Sequence, residues 1–280
     1  MEENRVNVEP SVAVNNLYYS MDITDENIKN YVDRYFIQLE DFRTRDGAGS
    51  LPPIGEWDVS RVTNMSRLFE GRDVDVLDIG NWNVSSVTNM SYMFNNCEFL
   101  KYFDEHSYLW DVSSVTDMSY MFNNCKSLEF LFIGNWNVSS VTNMSYMFNN
   151  CESIERFSLR HTQGLSRIWN VSSVTNMSHM FNKCKALVFI FGLIYWDVSN
   201  VEDMSYMFNG CTRMDDINLS SWQVKKVKNW DHMFDGTPFE ENYQHNPDFY
   251  SYSLSSMHAG KRRTKQKRRR RRTKRNHLRV

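Results

Sequence analysis

Residues 110–125 read W-D-V-S-S-V-T-D-M-S-Y-M-F-N-N-C, and near copies of this stretch begin at Trp57, Trp82, Trp136, Trp169, Trp196 and Trp222. Seven of the eight tryptophans therefore open units of one internal repeat, at successive spacings of 25, 28, 26, 33, 27 and 26 residues. A period of this length indicates stacked supersecondary units, with the differences in length absorbed by loops.

Apolar residues recur at fixed positions of the unit, which are counted here from its tryptophan. Val recurs at +2 and +5, Met at +8 and +11, Phe at +12 and Cys at +15, and the two Met columns hold twelve of the sixteen methionines. In stacked units, equivalent positions lie on one another. These columns therefore predict one continuous core.

Each unit carries signals for two short elements. Asn or Asp at +7 precedes M-S-x-M-F, which predicts a capped helical turn. An L-x-x-L-x-L-like segment follows, such as Leu128, Leu131 and Ile133, and its alternation predicts a short strand. We therefore expect an α/β solenoid of seven leucine-rich-type repeats of about 26 residues over 57–238, with its strands in a parallel sheet.

The ends of such a stack need covers. Residues 24–45 are predicted to form an N-terminal capping helix with Thr24 as its N-cap, and its apolar face would comprise Ile28, Tyr31, Val32, Tyr35, Phe36, Leu39 and Phe42. Residues 1–23 are expected to be disordered or extended, and residues 239–260 to form a C-terminal cap or a linker.

Charge is strongly segregated along the chain. Residues 261–280 carry 13 of the 32 Lys and Arg residues and no acidic residue, which leaves 19 basic against 34 acidic residues in the rest of the chain. We expect this tail to be disordered and to contact a polyanion or an import receptor through Lys261, Arg262, Arg263, Lys265, Lys267, Arg268, Arg269, Arg270, Arg271, Arg272, Lys274 and Arg275. A nuclear import signal, RNA or DNA phosphates, an anionic membrane and the acidic body of the same chain all remain open as its partner.

The unit W-D-V-S-x-V-T-x-M-S-x-M-F-x-x-C-x-x-L resembles the BspA-type leucine-rich repeat, the DUF285 class first described in mycoplasma surface proteins, over about residues 57–238. The resemblance implies adhesion or protein binding. Its relatives include bacterial surface lipoproteins and adhesins, and similar arrays occur in protists and large DNA viruses. This chain departs from the surface-protein pattern, because no signal peptide or lipoprotein cysteine is evident and an arginine-rich tail is present.

Two recurrent motifs are interpreted as structural. The cysteines, Cys97, Cys125, Cys151, Cys184 and Cys211, each stand at +15 with no C-x-x-C pair, which predicts a column of buried thiols rather than a metal site. The N-x-[ST] sequons at Asn64, Asn83, Asn89, Asn137, Asn143, Asn170, Asn176 and Asn218 are interpreted as turn and capping residues of the repeat.

The outward positions of the predicted strands carry the candidate binding site. Leucine-rich-type register places the third and fifth residues of L-x-x-L-x-L on the concave face, and six of these form the predicted protein-binding set: Tyr102, Phe130, Phe132, Arg156, Phe189 and Phe191. Exposed aromatic residues are favoured anchors of interfaces. An uncertain register, or cover from the long loop near residues 160–166, is the alternative explanation.

These patterns favour a non-enzymatic adaptor. No catalytic motif, cofactor site or apolar stretch long enough to span a membrane is present in the sequence, so we expect a protein partner, no cofactor and no small-molecule substrate. The expected location is the cytoplasm or nucleus, or a host cell or virion if the protein is viral. Two alternatives remain: a nucleic-acid-binding or packaging protein that acts through the tail, and an adhesin-like surface or virion protein.

Overall fold

A polar side chain at +7 fixes the turn that begins the M-S-x-M-F segment. In the computed structural model, which describes residues 21–41, 51–103, 105–131, 133–157, 168–214 and 217–238, Asp117 Oδ1 accepts a hydrogen bond from the backbone N–H of Ser119 at 2.8 Å. The equivalent bond is accepted by Asn64, Asn89, Asn143, Asn176, Asp203 and Asn229. A short side chain that accepts from the residue two positions later forms an Asx turn.

The segment after this turn is not helical, so the predicted helical turn in each repeat is wrong. The N–H groups of Tyr120 and Phe122 donate to carbonyl groups of the next unit, those of Ser145 and Met147, both at 2.9 Å. Tyr120 also has a φ of 59°, in the left-handed region. Because alternate N–H groups point out of the unit, they are not available for the i→i−4 bonds of a helix. The segment forms consecutive turns instead.

Backbone hydrogen bonds join each unit to its neighbours in two directions. The N–H of Thr116 at +6 donates back to the carbonyl of Thr88 at 2.8 Å, and the N–H of Met118 at +8 donates forward to that of Asn143 at 3.0 Å. Parallel bridges between +7 positions run unit by unit from Asn64 to Asn229. The units therefore stack in register along a continuous line of backbone contacts.

The strands of the L-x-x-L-x-L segments are two residues long. The parallel pairs are β1 (Val76–Leu77) with β2 (Tyr102–Phe103) and β3 (Arg156–Phe157) with β4 (Phe189–Ile190). An isolated bridge continues the first pair from Tyr102 to Phe130. Short 3₁₀ helices lie at Ile54–Glu56, Glu105–Leu109 and Leu193–Tyr195. The strand side thus contributes fewer backbone contacts than the turn side.

The predicted core columns are confirmed. Phe122 at +12 stacks on Phe94 and Phe148, with ring centroids 5.2 and 5.7 Å apart. Trp136 donates its Nε1–H to the carbonyl of Ser107, just before the unit opened by Trp110, at 2.9 Å, so its polar group is satisfied inside the core. Buried residues of the same columns include Val112, Val115, Met118, Met121 and Cys125 in one unit and their equivalents in its neighbours. Filling each column with one residue type gives every layer a matching surface.

A left-handed backbone at +14 explains a column that the sequence analysis did not use. Gly71, Gly210 and Gly236 occupy it with φ of 69°, 73° and 74°, and Asn124 does so with φ of 64°. Gly and Asn are the residues that tolerate this region best. Asn124 also donates from its Nδ2 to Asn96 Oδ1 at 2.8 Å, so the side chain adds a bond between units.

The N-terminal helix begins later than the predicted start at residue 24. α1 spans Ile28–Asp41 and begins after a turn in which the side-chain oxygen of Asn27 accepts from the N–H of Thr24 at 2.9 Å. Asp25 Oδ1 accepts from the N–H groups of Thr63 at 2.7 Å and Asn64 at 3.0 Å, which replaces the carbonyl that a preceding unit would offer.

One face of α1 packs on the first unit. Tyr35 contacts Trp57 edge to face, with centroids 5.7 Å apart, and Phe36 contacts Phe69 at 6.3 Å. Leu39, predicted to face the core, is exposed instead. Residues 42–45 of the predicted helix, and the predicted segments 1–20 and 239–280, lie outside the described residues.

Removing a ring from the middle of the Phe column tests the stacking. We expect Phe122→Ala to lower the free energy of unfolding by about 3–5 kcal/mol, because it opens a cavity between two layers. Phe99→Ala should cost less, because the Phe99 side chain is exposed and its removal opens no cavity. Equilibrium unfolding in urea measures both variants, and equal losses would contradict a core built on the Phe column.

Candidate functional site

An exposed pair of columns runs along the strands, and we call it the strand face. Backbone bonds join Lys101 N to Asp75 O and Glu129 N to Lys101 O, both at 3.0 Å, and Val188 N to Glu155 O at 2.8 Å. The adjacent column holds the residues paired through β1–β4 and the Tyr102–Phe130 bridge. The strand face therefore consists of Asp75, Val76, Lys101, Tyr102, Glu129, Phe130, Glu155, Arg156, Val188 and Phe189.

Apolar side chains on this face are exposed because the buried position is the next one along each strand. Val76, Tyr102 and Phe130 are 55%, 44% and 56% exposed, whereas Leu77 and Phe103 are buried. The rings of Tyr102 and Phe130 stack with centroids 6.0 Å apart and planes 10° from parallel. Three consecutive units thus present adjoining apolar groups to solvent, a feature typical of an interaction surface.

Carboxylates surround these apolar groups. Asp73, Asp75, Asp78 and Glu129 are exposed, and within the described part of the chain no ion pair engages any of them. Lys101 is the basic residue between Asp75 and Glu129 in the same column. This end of the strand face is therefore both aromatic and acidic.

The predicted site residues divide into three groups. Tyr102 and Phe130 are brought into contact, and Arg156 places its guanidinium carbon 5.9 Å from the ring centroid of Phe189. Phe189 and Phe191 are half-buried. Phe132 and the whole set of tail residues lie outside the described residues. The acidic neighbours Asp75, Glu129 and Glu155 were missed, although their place beside the outward aromatics could have been read from the strand alternation.

A second surface column, at +10, was also missed by the sequence analysis. Tyr92, Tyr120, Tyr146, His179, Tyr206 and His232 form a stack whose successive ring centroids are 4.4, 4.4, 4.2, 4.5 and 4.8 Å apart. All six residues have positive φ. Their recurrence in the sequence was visible, but the left-handed backbone that turns each ring onto the next follows from the inter-unit hydrogen bonds.

Ionisation of two members of this aromatic stack is disfavoured. Burial, assisted by the neighbouring Tyr146 and Tyr92, raises the pKa of Tyr120 to about 12. Burial also lowers the pKa of His179, against an opposing effect of the Asp203 carboxylate and with a further lowering by Lys183. Both shifts favour the neutral form of the ring.

The cysteines form the predicted buried column. Each Sγ donates to the carbonyl of a Phe at +12 in the preceding unit, as from Cys125 to Phe94 at 3.2 Å and from Cys151 to Phe122 at 3.1 Å. All five thiols are free and buried. Burial raises the pKa of Cys97 and Cys211 to about 12 and that of the other three well above the ordinary value. Protonated, buried thiols are poor nucleophiles and poor metal ligands.

The sequon asparagines serve the turns, as predicted. Each accepts a hydrogen bond at Oδ1 from the backbone N–H two residues later, which is the N–H of the sequon's own Ser or Thr position. This turn hydrogen bond therefore accounts for the recurrence of the N-x-[ST] pattern in the repeat.

Neither a metal cluster nor a membrane span is found in the described ranges. No group of three or more His, Cys, Asp or Glu side chains converges there, and no helix there is both long and apolar enough to cross a bilayer.

Comparison with known proteins places the repeat in a family. The model described as "Mycoplasma protein of unknown function, DUF285" matches residues 40–160, 98–188 and 157–269, which confirms the resemblance seen in the sequence. No curated protein matches the chain significantly.

Two solved structures are similar over part of their length. A leucine-rich repeat protein from Bacteroides ovatus ATCC 8483 shares 18% identity, with 62% of this chain and 39% of that chain covered and a TM-score of 0.41. A leucine-rich repeat protein from Eubacterium ventriosum ATCC 27560 shares 16% identity over 59% of this chain and 47% of that one, with a TM-score of 0.34. The chain thus matches less than half the length of either protein.

Alkylation tests the buried thiol column. We expect iodoacetamide at pH 8 to modify none of the five cysteines of the folded chain, because they are buried and their raised pKa keeps them protonated. In guanidinium chloride, which unfolds the chain, all five cysteines should react within the labelling time used for the folded chain. Intact-mass spectrometry counts the adducts, and rapid labelling of the folded chain would contradict the burial.

Acidification tests the aromatic stack. The pKa of His179 is lowered from its ordinary value of 6.5, so the unfolded chain binds the proton more readily and stability should fall as pH drops through 6.5. His179→Tyr supplies the residue found at four other positions of the stack and removes this titration. Urea unfolding at pH 7.5 and 5 should show a smaller loss for the variant; equal losses would exclude His179 as the cause.

Proposed function

Because this chain belongs to the DUF285 family, whose model matches most of its length, we propose that it is a non-enzymatic scaffold that binds a protein through its strand face. In this proposal residues 57–238 form a seven-repeat solenoid closed at its N-terminal end by α1, and the basic tail locates the scaffold in the nucleus or at a polyanion. The observation that carries the proposal is the contiguous, exposed apolar group formed by Val76, Tyr102 and Phe130.

Their arrangement suits recognition of an extended partner. Stacked strands lie about 4.8 Å apart, so equivalent side chains of neighbouring units form a regularly spaced row. Tyr102 and Phe130 supply rigid rings that lose little conformational entropy on binding. The carboxylates beside them would favour a partner with basic residues next to apolar ones.

Replacing the two central rings tests the proposal. We expect Tyr102→Ser/Phe130→Ser to reduce capture of a protein partner from nuclease-treated lysate at least about tenfold, because interface aromatics commonly contribute 2 kcal/mol or more. Tyr195→Ser/Phe99→Ser is the matched control, since it removes one exposed Tyr and one exposed Phe away from the strand-face columns.

Quantitative mass spectrometry of captured proteins gives the readout, and far-ultraviolet circular dichroism with urea unfolding checks that both variants fold. Undiminished capture by the strand-face variant would refute the proposal. Capture that disappears for every form after nuclease treatment would instead make the protein a nucleic-acid binder that acts through its tail.

A further inference from the structure

We propose that the basic tail, residues 261–280, binds the strand face of its own chain and occupies it until a polyanion or a partner displaces the tail. This inference rests on the proposed function in taking the strand face as a binding surface, and it adds the chemistry of the first occupant. Three observations on the molecule support it: the charge of the face, the way this chain holds arginine elsewhere, and the reach of the tail.

On the first three units of the strand face the two carboxylates, Asp75 and Glu129, outnumber the one basic residue, Lys101. Asp73, Asp75, Asp78 and Glu129 are exposed around Val76, Tyr102 and Phe130, and none of the four carboxylates takes part in an ion pair within the described ranges. Elsewhere on the same side, Glu98, Glu152 and Glu155 are each paired with a basic residue. The first three units are thus the part of this face with free acceptors for a cation.

Among the described residues, Arg67 and Arg72 are each held by an aromatic ring together with a carboxylate. The guanidinium of Arg67 lies 3.9 Å from the ring centroid of Tyr92 and donates to Glu70 at 2.8 Å. The guanidinium of Arg72 lies 4.9 Å from the ring centroid of Phe36 and pairs with Asp33. The guanidinium group combines stacking on a ring with hydrogen bonding to a carboxylate, which lysine does less well.

The strand face offers the same combination without an arginine of its own in its first three units. Tyr102 and Phe130 provide two nearly parallel rings, Asp75 and Glu129 lie in the adjacent column, and the exposed Asp78 follows Val76 by two residues. The tail carries Arg268–Arg272 as five consecutive arginines with lysines on either side. Successive arginines can therefore occupy successive units of the face.

Chain length permits this contact. The 22 residues 239–260 connect the last unit to the tail. Fully extended, they reach about 70 Å, whereas seven stacked strands span roughly 35 Å. Because the tail and the face belong to one chain, a connection long enough to span them raises their effective concentration to about millimolar order. Weak individual contacts suffice for occupancy under those conditions.

While the tail occupies the strand face, the tail cannot bind a polyanion and the face cannot bind a protein partner. Arginines bound to carboxylates and rings of the face are not available to phosphates, and a polyanion that takes the tail uncovers Tyr102 and Phe130. The chain would then expose its protein-binding face when its tail finds a polyanion.

Distance measurement on the full chain tests the inference. Spin labels on cysteines introduced by Ser127→Cys and Thr273→Cys can be attached selectively, because the five native thiols are buried. Ser127 lies two residues before Glu129. Pulsed electron–electron double resonance should give a label-to-label distance distribution with a narrow component below roughly 25 Å. This upper limit is the span of about five stacked strands. This component should vanish in 1 M salt, where the Debye length is about 3 Å.

Two charge variants separate specific docking from general attraction to an acidic protein. Asp73→Asn/Asp78→Asn/Glu129→Gln should abolish the short-distance component. Glu26→Gln/Glu202→Gln/Asp231→Asn removes the same charge from the N-terminal turn and the +6 to +9 edge and should leave the component unchanged. Addition of heparin, a sulfated polyanion, should abolish it in both the control and the parent protein.

Equal loss in the two variants, or a broad distribution in the parent protein at low salt, would overturn the inference. Neither result depends on a protein partner, because the measurement uses the purified chain. If the labels remain far apart while the Tyr102→Ser/Phe130→Ser variant loses capture, the docking of the tail is wrong and the proposed function stands. If capture also survives that variant, both are wrong.

Discussion

The forward hydrogen bonds from +8, +10, +12 and +14 to the next unit are the constraint on which the structure depends. In one unit they run from Met118, Tyr120, Phe122 and Asn124. They satisfy backbone groups that the unit cannot satisfy internally, and buried backbone groups need such partners. Each unit is therefore incomplete without its neighbour, and the length of the stack follows from the number of repeats. In the first unit, the +6 N–H has no preceding unit to which it can donate. It donates to the side chain of Asp25, which takes the place of a backbone carbonyl.

Side-chain columns are a consequence of that register. Units held by equivalent backbone bonds bring equivalent side chains into contact, so Phe stacks on Phe, Tyr on Tyr or His, and Asn bonds to Asn, as Asn149 does to Asn123 at 2.6 Å. Such columns combine apolar burial inside with polar bonds at the edge, and both increase with every added unit. The positive φ at +10 and +14 is tolerated because these contacts favour it repeatedly.

The candidate binding residues lie in the columns whose residue type changes from unit to unit. The turn side is nearly uniform, whereas the strand face varies along the stack: its equivalent positions hold Val76, Tyr102, Phe130, Arg156 and Phe189. A uniform column serves stacking, and a variable, exposed column is free to fit a partner. Acidic residues next to this column and the arginine-rich tail give the same chain both halves of an electrostatic pair, which is the basis of the regulation proposed for the face.

By itself the sequence determined the repeat and its core, because a fixed spacing of Trp, Val, Met, Phe and Cys indicates equivalent positions that stack on one another. It also determined the turn at +7, since Asn and Asp carry that preference locally. Only the tertiary structure decided that M-S-x-M-F is a series of turns, because the choice between a helix and inter-unit bonds depends on a neighbour that is distant in sequence. For the same reason it alone decided that Leu39 faces outward, that the rings from Tyr92 to His232 stack, and that Tyr102 meets Phe130 on an exposed face. Local preference is a property of a segment, whereas contact between units depends on how successive layers align.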